Sequence, residues 1–189
     1  MSDKLRLLSL FIFFTALTFS IFSSNITFSS NASDLPDEKL IDDYNYKFTV
    51  KLPDGWDSKA IQETKDKDGI SYSFERKDKK MTLMLLAFKL SSVKNIDDFI
   101  YNMEKDIALN IPTKSGSYNE QDFGKYDSKN AIYKDKDYEE VIYYFRTKLP
   151  DAPNNYVYMV RFITKTADYN NEAETLIKSI VETFKSTAE

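Results

Sequence analysis

Residues 81–90 read MTLMLLAFKL, ten positions with a single charge at Lys89. A short run apolar at both odd and even places fits a strand that is covered on both faces. Such a strand cannot lie on a one-layer fold, because each of its faces has to be sheltered by another element.

The flanking sequence supplies the other strands. YKFTVKL (46–52) alternates with period two. Residues 60–64 form a weaker strand. Asp68-Gly69 signals a hairpin, and ISYSFERK follows with Ile70, Tyr72 and Phe74 on one side. Lys77–Lys80 turn the chain into MTLMLLAFKL. A helix comes next. Asn95 can cap it, Asp97 and Asp98 occupy its first turn, and Phe99, Ile100, Met103 and Ile107 make an apolar stripe ahead of Pro112. Residues 113–137 are polar with Tyr118, Phe123, Tyr126 and Tyr133 scattered among them, and read as short strands and turns.

YEEVIYYFRTKL, PDAPNN and YVYMVRFITKT then read as a long hairpin. Placing Leu149 opposite Tyr156 sets Tyr144 against Arg161 and Glu140 against Lys165, one cation–π contact and one ion pair. A closing helix follows Ala167-Asp168-Tyr169, with Leu176, Ile177, Ile180, Val181 and Phe184 on its buried side. The expected fold class is α+β: a mainly antiparallel central sheet with helices on both faces, an α/β/α sandwich.

The N-terminus is a separate segment. Lys4 and Arg6 precede Leu7–Phe22, sixteen residues without a charge, and a polar stretch follows. That pattern is a secretory signal, and it is short for a membrane span of about 20 residues. Two fates are open: cleavage, with Ser30-Asn31-Ala32 as one candidate site, or retention as an anchor through residues 7–22. The chain divides into 1–32 as signal or anchor, 33–43 as a flexible acidic lead-in, and 44–186 as the folded domain. The location this implies is periplasmic or extracellular.

The residue inventory excludes several chemistries. The chain has no histidine and no cysteine. Serine–histidine triads, histidine-based metal sites, thiolate nucleophiles and disulfides are all ruled out. A formal charge of −4 with interspersed signs is not a nucleic-acid footprint. No cofactor and no catalytic residue is assigned.

Two acidic stretches remain as weak candidates. Asp66, Asp68, Gly69 and Glu75 fall at places of a calcium-binding loop, but Thr64 stands where its first carboxylate belongs, and the flanks are strands. A plain hairpin turn is the preferred reading. Asp135, Asp137, Glu139 and Glu140 form a second cluster, best read as a solvated turn. Tyr133, Tyr138, Tyr143, Tyr144, Tyr156 and Tyr158 enrich the late hairpin, where tyrosine suits either a core or an interface.

Phe48-x-Val50-x-Leu52-Pro53-x-Gly55-Trp56, the aromatic late hairpin and the closing helix together resemble the PsbP superfamily over residues 44–186. That group includes the PsbP extrinsic proteins of photosynthesis, the DcrB-type envelope proteins of bacteria and the Ran-binding Mog-type proteins. The resemblance implies a small, non-catalytic binding or assembly protein, here an exported bacterial one. No ion-binding residue carries over, since this chain lacks histidine. The expected partner is an envelope or extracellular protein, with no nucleic acid, and with membrane contact only through an uncleaved N-terminus. The expected interaction surface is Trp56, Tyr143, Tyr144, Tyr156 and Tyr158. The alternative is an extracytoplasmic small-ligand or cation-binding protein using the acidic turns and Trp56.

Overall fold

A computed structural model describes residues 38–90, 93, 95–107, 113–120, 126–147 and 155–188. The N-terminal apolar segment, Phe123, Leu149 and the side chain of Ile107 lie outside the described residues.

Among the described residues, ten strands and two helices follow in the order β1 (Lys39–Asp43), β2 (Phe48–Leu52), β3 (Asp57–Glu63), β4 (Gly69–Arg76), β5 (Met81–Leu90), α1 (Ile96–Ile107), β6 (Thr113–Glu120), β7 (Tyr126–Lys134), β8 (Tyr138–Thr147), β9 (Asn155–Lys165), α2 (Asn171–Glu182) and β10 (Lys185–Ser186). A 3-10 turn at Thr166–Asp168 leads to α2. Strands β3-β4-β5-β9-β8-β7-β6 form a seven-stranded sheet and β1-β2-β10 a three-stranded one. Every described pairing is antiparallel.

The second sheet corrects two expectations. The YKFTVKL strand does not join the large sheet; as β2 it pairs with β1 and with β10. The stretch read as a flexible lead-in contains a strand, because Ile41 and Asp43 of β1 are buried and Asp43 has partners inside. Likewise the region 113–137 holds two strands of 8 and 9 residues rather than short pieces.

The strands shared by both cores split cleanly by parity. Leu83 and Leu85 of β5, Tyr143 and Phe145 of β8, and Tyr158 and Phe162 of β9 enter one core, with β2 and with Ala173, Ile177, Ile180 and Val181 of α2. Leu86 and Phe88, Ile142 and Tyr144, and Val157 and Met159 enter the other, with Ile96, Phe99, Ile100 and Met103 of α1. Phe184, just past α2, is the aromatic hub of the first core. Its ring stacks on Phe145 at 4.7 Å and meets the edge of Tyr158 at 5.0 Å. Each such pair adds roughly 0.5–1.5 kcal/mol beyond its buried area.

The fold is therefore α+β and mostly antiparallel. α1 lies against β7 and β8. Beyond it the same face continues over β3 and β4 with Gln62, Ser71, Ser73 and Glu75, which pair toward Leu86, Met84 and Thr82. The Asn95 cap forms as read, with Oδ1 accepting the Asp98 N–H at 2.9 Å; the closing helix is capped by Asn170, whose Oδ1 accepts the N–H groups of Glu172 and Ala173. The apolar stripes then hold each helix down, since helices this short depend on packing.

Candidate functional site

Trp56 sits where the β2–β3 turn returns to the core. Gly55 takes φ +94°, which favours glycine, and Pro53 ends the preceding strand. The indole is 6% exposed and belongs to the first core. Its Nε1 is buried without a hydrogen-bond acceptor among the described residues.

The tyrosine surface expected from sequence is core instead. Tyr143, Tyr144 and Tyr158 are buried, and only Tyr156 is half-buried. The physical reason is position: β8 and β9 lie inside the sheet, between β5 and β7, and side chains of both parities meet cover. The hydroxyls are spent on ties inside the fold. Tyr158 Oη lies 2.9 Å from the Lys47 carbonyl, 3.1 Å from that of Tyr46 and 3.0 Å from Ser186 Oγ. Tyr126 Oη accepts the Ser186 N–H at 2.5 Å. Two large-sheet strands thereby hold β10 and the β1–β2 turn.

Most of the acidic candidates are engaged within the fold as well. Thr64 Oγ1 donates to Asp68 Oδ1 at 2.6 Å and accepts the N–H groups of Asp68 and Gly69. Glu75 lies six residues further along β4, roughly 20 Å away at strand rise, where it pairs with Lys59 at 2.8 Å. The hairpin reading of this segment is the one seen. Its left-handed residue is Lys67, at φ 54°, rather than Gly69. Gly69 is required by a close approach: a Cβ there would stand 2.8 Å from Phe88 Cδ1.

Asp135 Oδ1 accepts the N–H groups of Asp137 and Tyr138, both at 2.7 Å, and these bonds hold its carboxyl below the usual range. Glu139 and Glu140 are buried, not solvated. Lys134 Nζ lies 2.9 Å from Glu139 Oε2, an ion pair without hydrogen-bond alignment. Arg161 grips Glu140 with two bonds. Burial pushes the Glu140 carboxyl up, and Arg161 opposes that.

The expected register of this hairpin is two residues off. Tyr144 faces Met159, and Glu140 faces Ile163. A slip of two preserves faces, so Arg161 still shares a face with Glu140 and reaches it diagonally.

Sequence reading missed two constellations. Glu104 of α1 accepts hydroxyl bonds from Tyr118 and Tyr133, whose own oxygens are 2.7 Å apart. Burial raises both phenols. The second is a shallow groove of about 380 Å³ at one end of the large sheet, on the α1 face. Lys77, Lys80, Lys165, Glu75, Tyr138 and Ile163 line it. The pairings Glu75–Thr82, Thr82–Ile163 and Tyr138–Lys165 carry it across β4, β5, β9 and β8. These long-range pairings leave no local signal.

No family model and no curated protein matches the sequence. Solved structures do match. Cyanobacterial PsbP (CyanoP) from Synechocystis superposes with a TM-score of 0.56, covering 84% of this chain and 97% of its own, at 11% identity. A protein of Bacteroides thetaiotaomicron gives a TM-score of 0.49 at 13% identity, over 80% of this chain and 49% of that one. LpqN, involved in cell envelope biogenesis of Mycobacterium tuberculosis, also gives 0.49 at 13% identity, over 80% and 91%.

Proposed function

With a PsbP-like fold as the premise, we propose that this chain is an exported, non-catalytic binding or assembly module of the cell envelope. Its frame is read as an α/β/α sandwich, with α1 sheltering one sheet face and α2 the other. The observation that carries the reading is how completely the buried acids are occupied. Among the described residues the buried carboxylates are Asp43, Glu139 and Glu140. Asp43 takes the Tyr72 hydroxyl at 2.6 Å and two backbone N–H groups, Glu139 takes Lys134, and Glu140 takes Arg161. A general acid or base needs an open reaction partner, and these have closed ones. The chain has no imidazole and no thiol, which removes the commonest general base and the thiolate nucleophile.

Export rests on the basic start and the uncharged run at Leu7–Phe22. Among the described residues no helix is long and apolar enough to cross a membrane. The test is cross-linking in living cells, followed by fractionation and mass spectrometry. Recovery of one defined envelope protein, together with a processed or membrane-retained N-terminus, is expected. Residence in the cytoplasm, or turnover of a substrate by the purified chain, overturns the reading.

The small-ligand alternative loses its expected site, since Trp56 is buried and Glu75 stands far from the Asp66–Asp68 turn. A ligand would have to use another surface.

A further inference from the structure

The groove at the end of β4, β5, β9 and β8 has a charge unlike the rest of the molecule. Three of its four charged lining groups are ammoniums, in a chain whose formal charge is −4. The one carboxylate, Glu75, is already matched by Lys59 at 2.8 Å. Lys77 lies 3.7 Å from Asp57, and Lys80 donates to Asp168 at 3.3 Å, both exposed contacts. Lys165 has no ion-pair partner among the described residues. Between these cations lie a half-buried Ile163 and the ring of Tyr138, which is 46% exposed. A volume of about 380 Å³ falls within the range of small-molecule sites, roughly 300–1,000 Å³.

We propose that this groove binds a small organic carboxylate with a flat apolar body. The carboxylate lies among Lys77, Lys80 and Lys165. The apolar part lies on Ile163 and against the Tyr138 ring. Lysine supplies point charges rather than a planar fork, so the site holds one anionic end without fixing its rotation, and the ring contact sets the orientation. Exposure keeps the binding weak and salt-dependent. The proposal rests on the binding-module reading and names one class of ligand for it.

The test is amide NMR of the full 189-residue chain titrated with 3-phenylpropionate, with acetate and 3-phenylpropylamine in parallel. Saturable shifts are expected at Thr82, Ile163 and Lys165 with the aromatic acid, weaker ones with acetate, and none with the amine. Lys165→Gln or Lys80→Gln alone should weaken binding roughly twofold to fivefold, and the double variant about tenfold, as for exposed ion pairs at independent sites. Tyr138→Ala should abolish the preference for the aromatic acid over acetate while leaving the fold intact. Absence of saturable shifts at those amides, or equal binding of the amine, overturns the proposal. A protein partner captured on a different surface, with the groove silent, sinks this inference and leaves the binding-module reading standing.

Discussion

Arg161 forks onto Glu140 inside the large sheet, Nε to Oε2 at 2.8 Å and Nη2 to Oε1 at 2.7 Å. The two residues are not directly opposite; Glu140 pairs with Ile163 and Arg161 with Ile142. The diagonal contact leaves a charge pair between two strands whose other inward residues are mostly apolar. Removing one partner strands the other. Arg161→Met should therefore destabilise by about 3–5 kcal/mol, whereas replacing both with apolar residues of similar volume should cost far less. Urea unfolding of the single and double variants checks this.

The same pair sets a pH dependence. Glu140's folded carboxyl is raised above its unfolded value, because burial outweighs Arg161. Its contribution is then full below the ordinary carboxylate pKa and is lost as pH rises through the raised value. Wild type should lose stability relative to Glu140→Gln across that window. Paired denaturation curves taken upward from the ordinary carboxylate pKa read the difference and cancel the other carboxylates.

Trp56 is apolar cargo with one misplaced donor. Trp56→Phe removes the buried, unaccepted Nε1–H along with part of the ring, so its net effect should stay within about 1.5 kcal/mol. Trp56→Ala leaves a cavity and should lower stability by about 3–5 kcal/mol. As the chain's single tryptophan, it should also emit as a sheltered indole until unfolding.

Gly69→Ala should destabilise by about 1–3 kcal/mol, since the new methyl meets the Phe88 ring. Phe88→Leu should recover part of that loss in the double variant, a coupling that a purely conformational glycine effect would not show.

Tyr158→Phe leaves the packing and deletes the tie to the Lys47 carbonyl and Ser186. A loss of about 1–3 kcal/mol is expected. Hydrogen exchange should quicken at Thr49 and Lys185, which β2 and β10 pair together, more than in the centre of the large sheet.

Local pattern carried most of the architecture. The two-sided burial of β5, the cap at Asn95 and both helical stripes were all readable, because each depends on residues close in sequence. Partner choice was not. YKFTVKL reads as a strand whichever sheet it joins, and its pairing with β1 and with the distant β10 places it in the smaller one. The β8–β9 register slipped because a two-residue shift leaves every face unchanged, so alternation cannot detect it. Tyrosine enrichment was ambiguous for the same reason that tyrosine is versatile: Tyr126 and Tyr158 bury their rings and still give their hydroxyls to backbone. The lysine groove was invisible, since Lys77 and Lys165 become neighbours only through the β4–β5–β9 pairing.

The strand at Lys185–Ser186 works as a buckle. It clasps β2, near the beginning of the folded region, using residues synthesised near its end. A chain emerging from a ribosome or passing through a pore, N-terminus first, cannot fasten that small sheet until residue 186 is free. Up to that moment Phe48, Val50 and Leu52 lack a finished cover, so the small sheet is among the last parts of the fold to close.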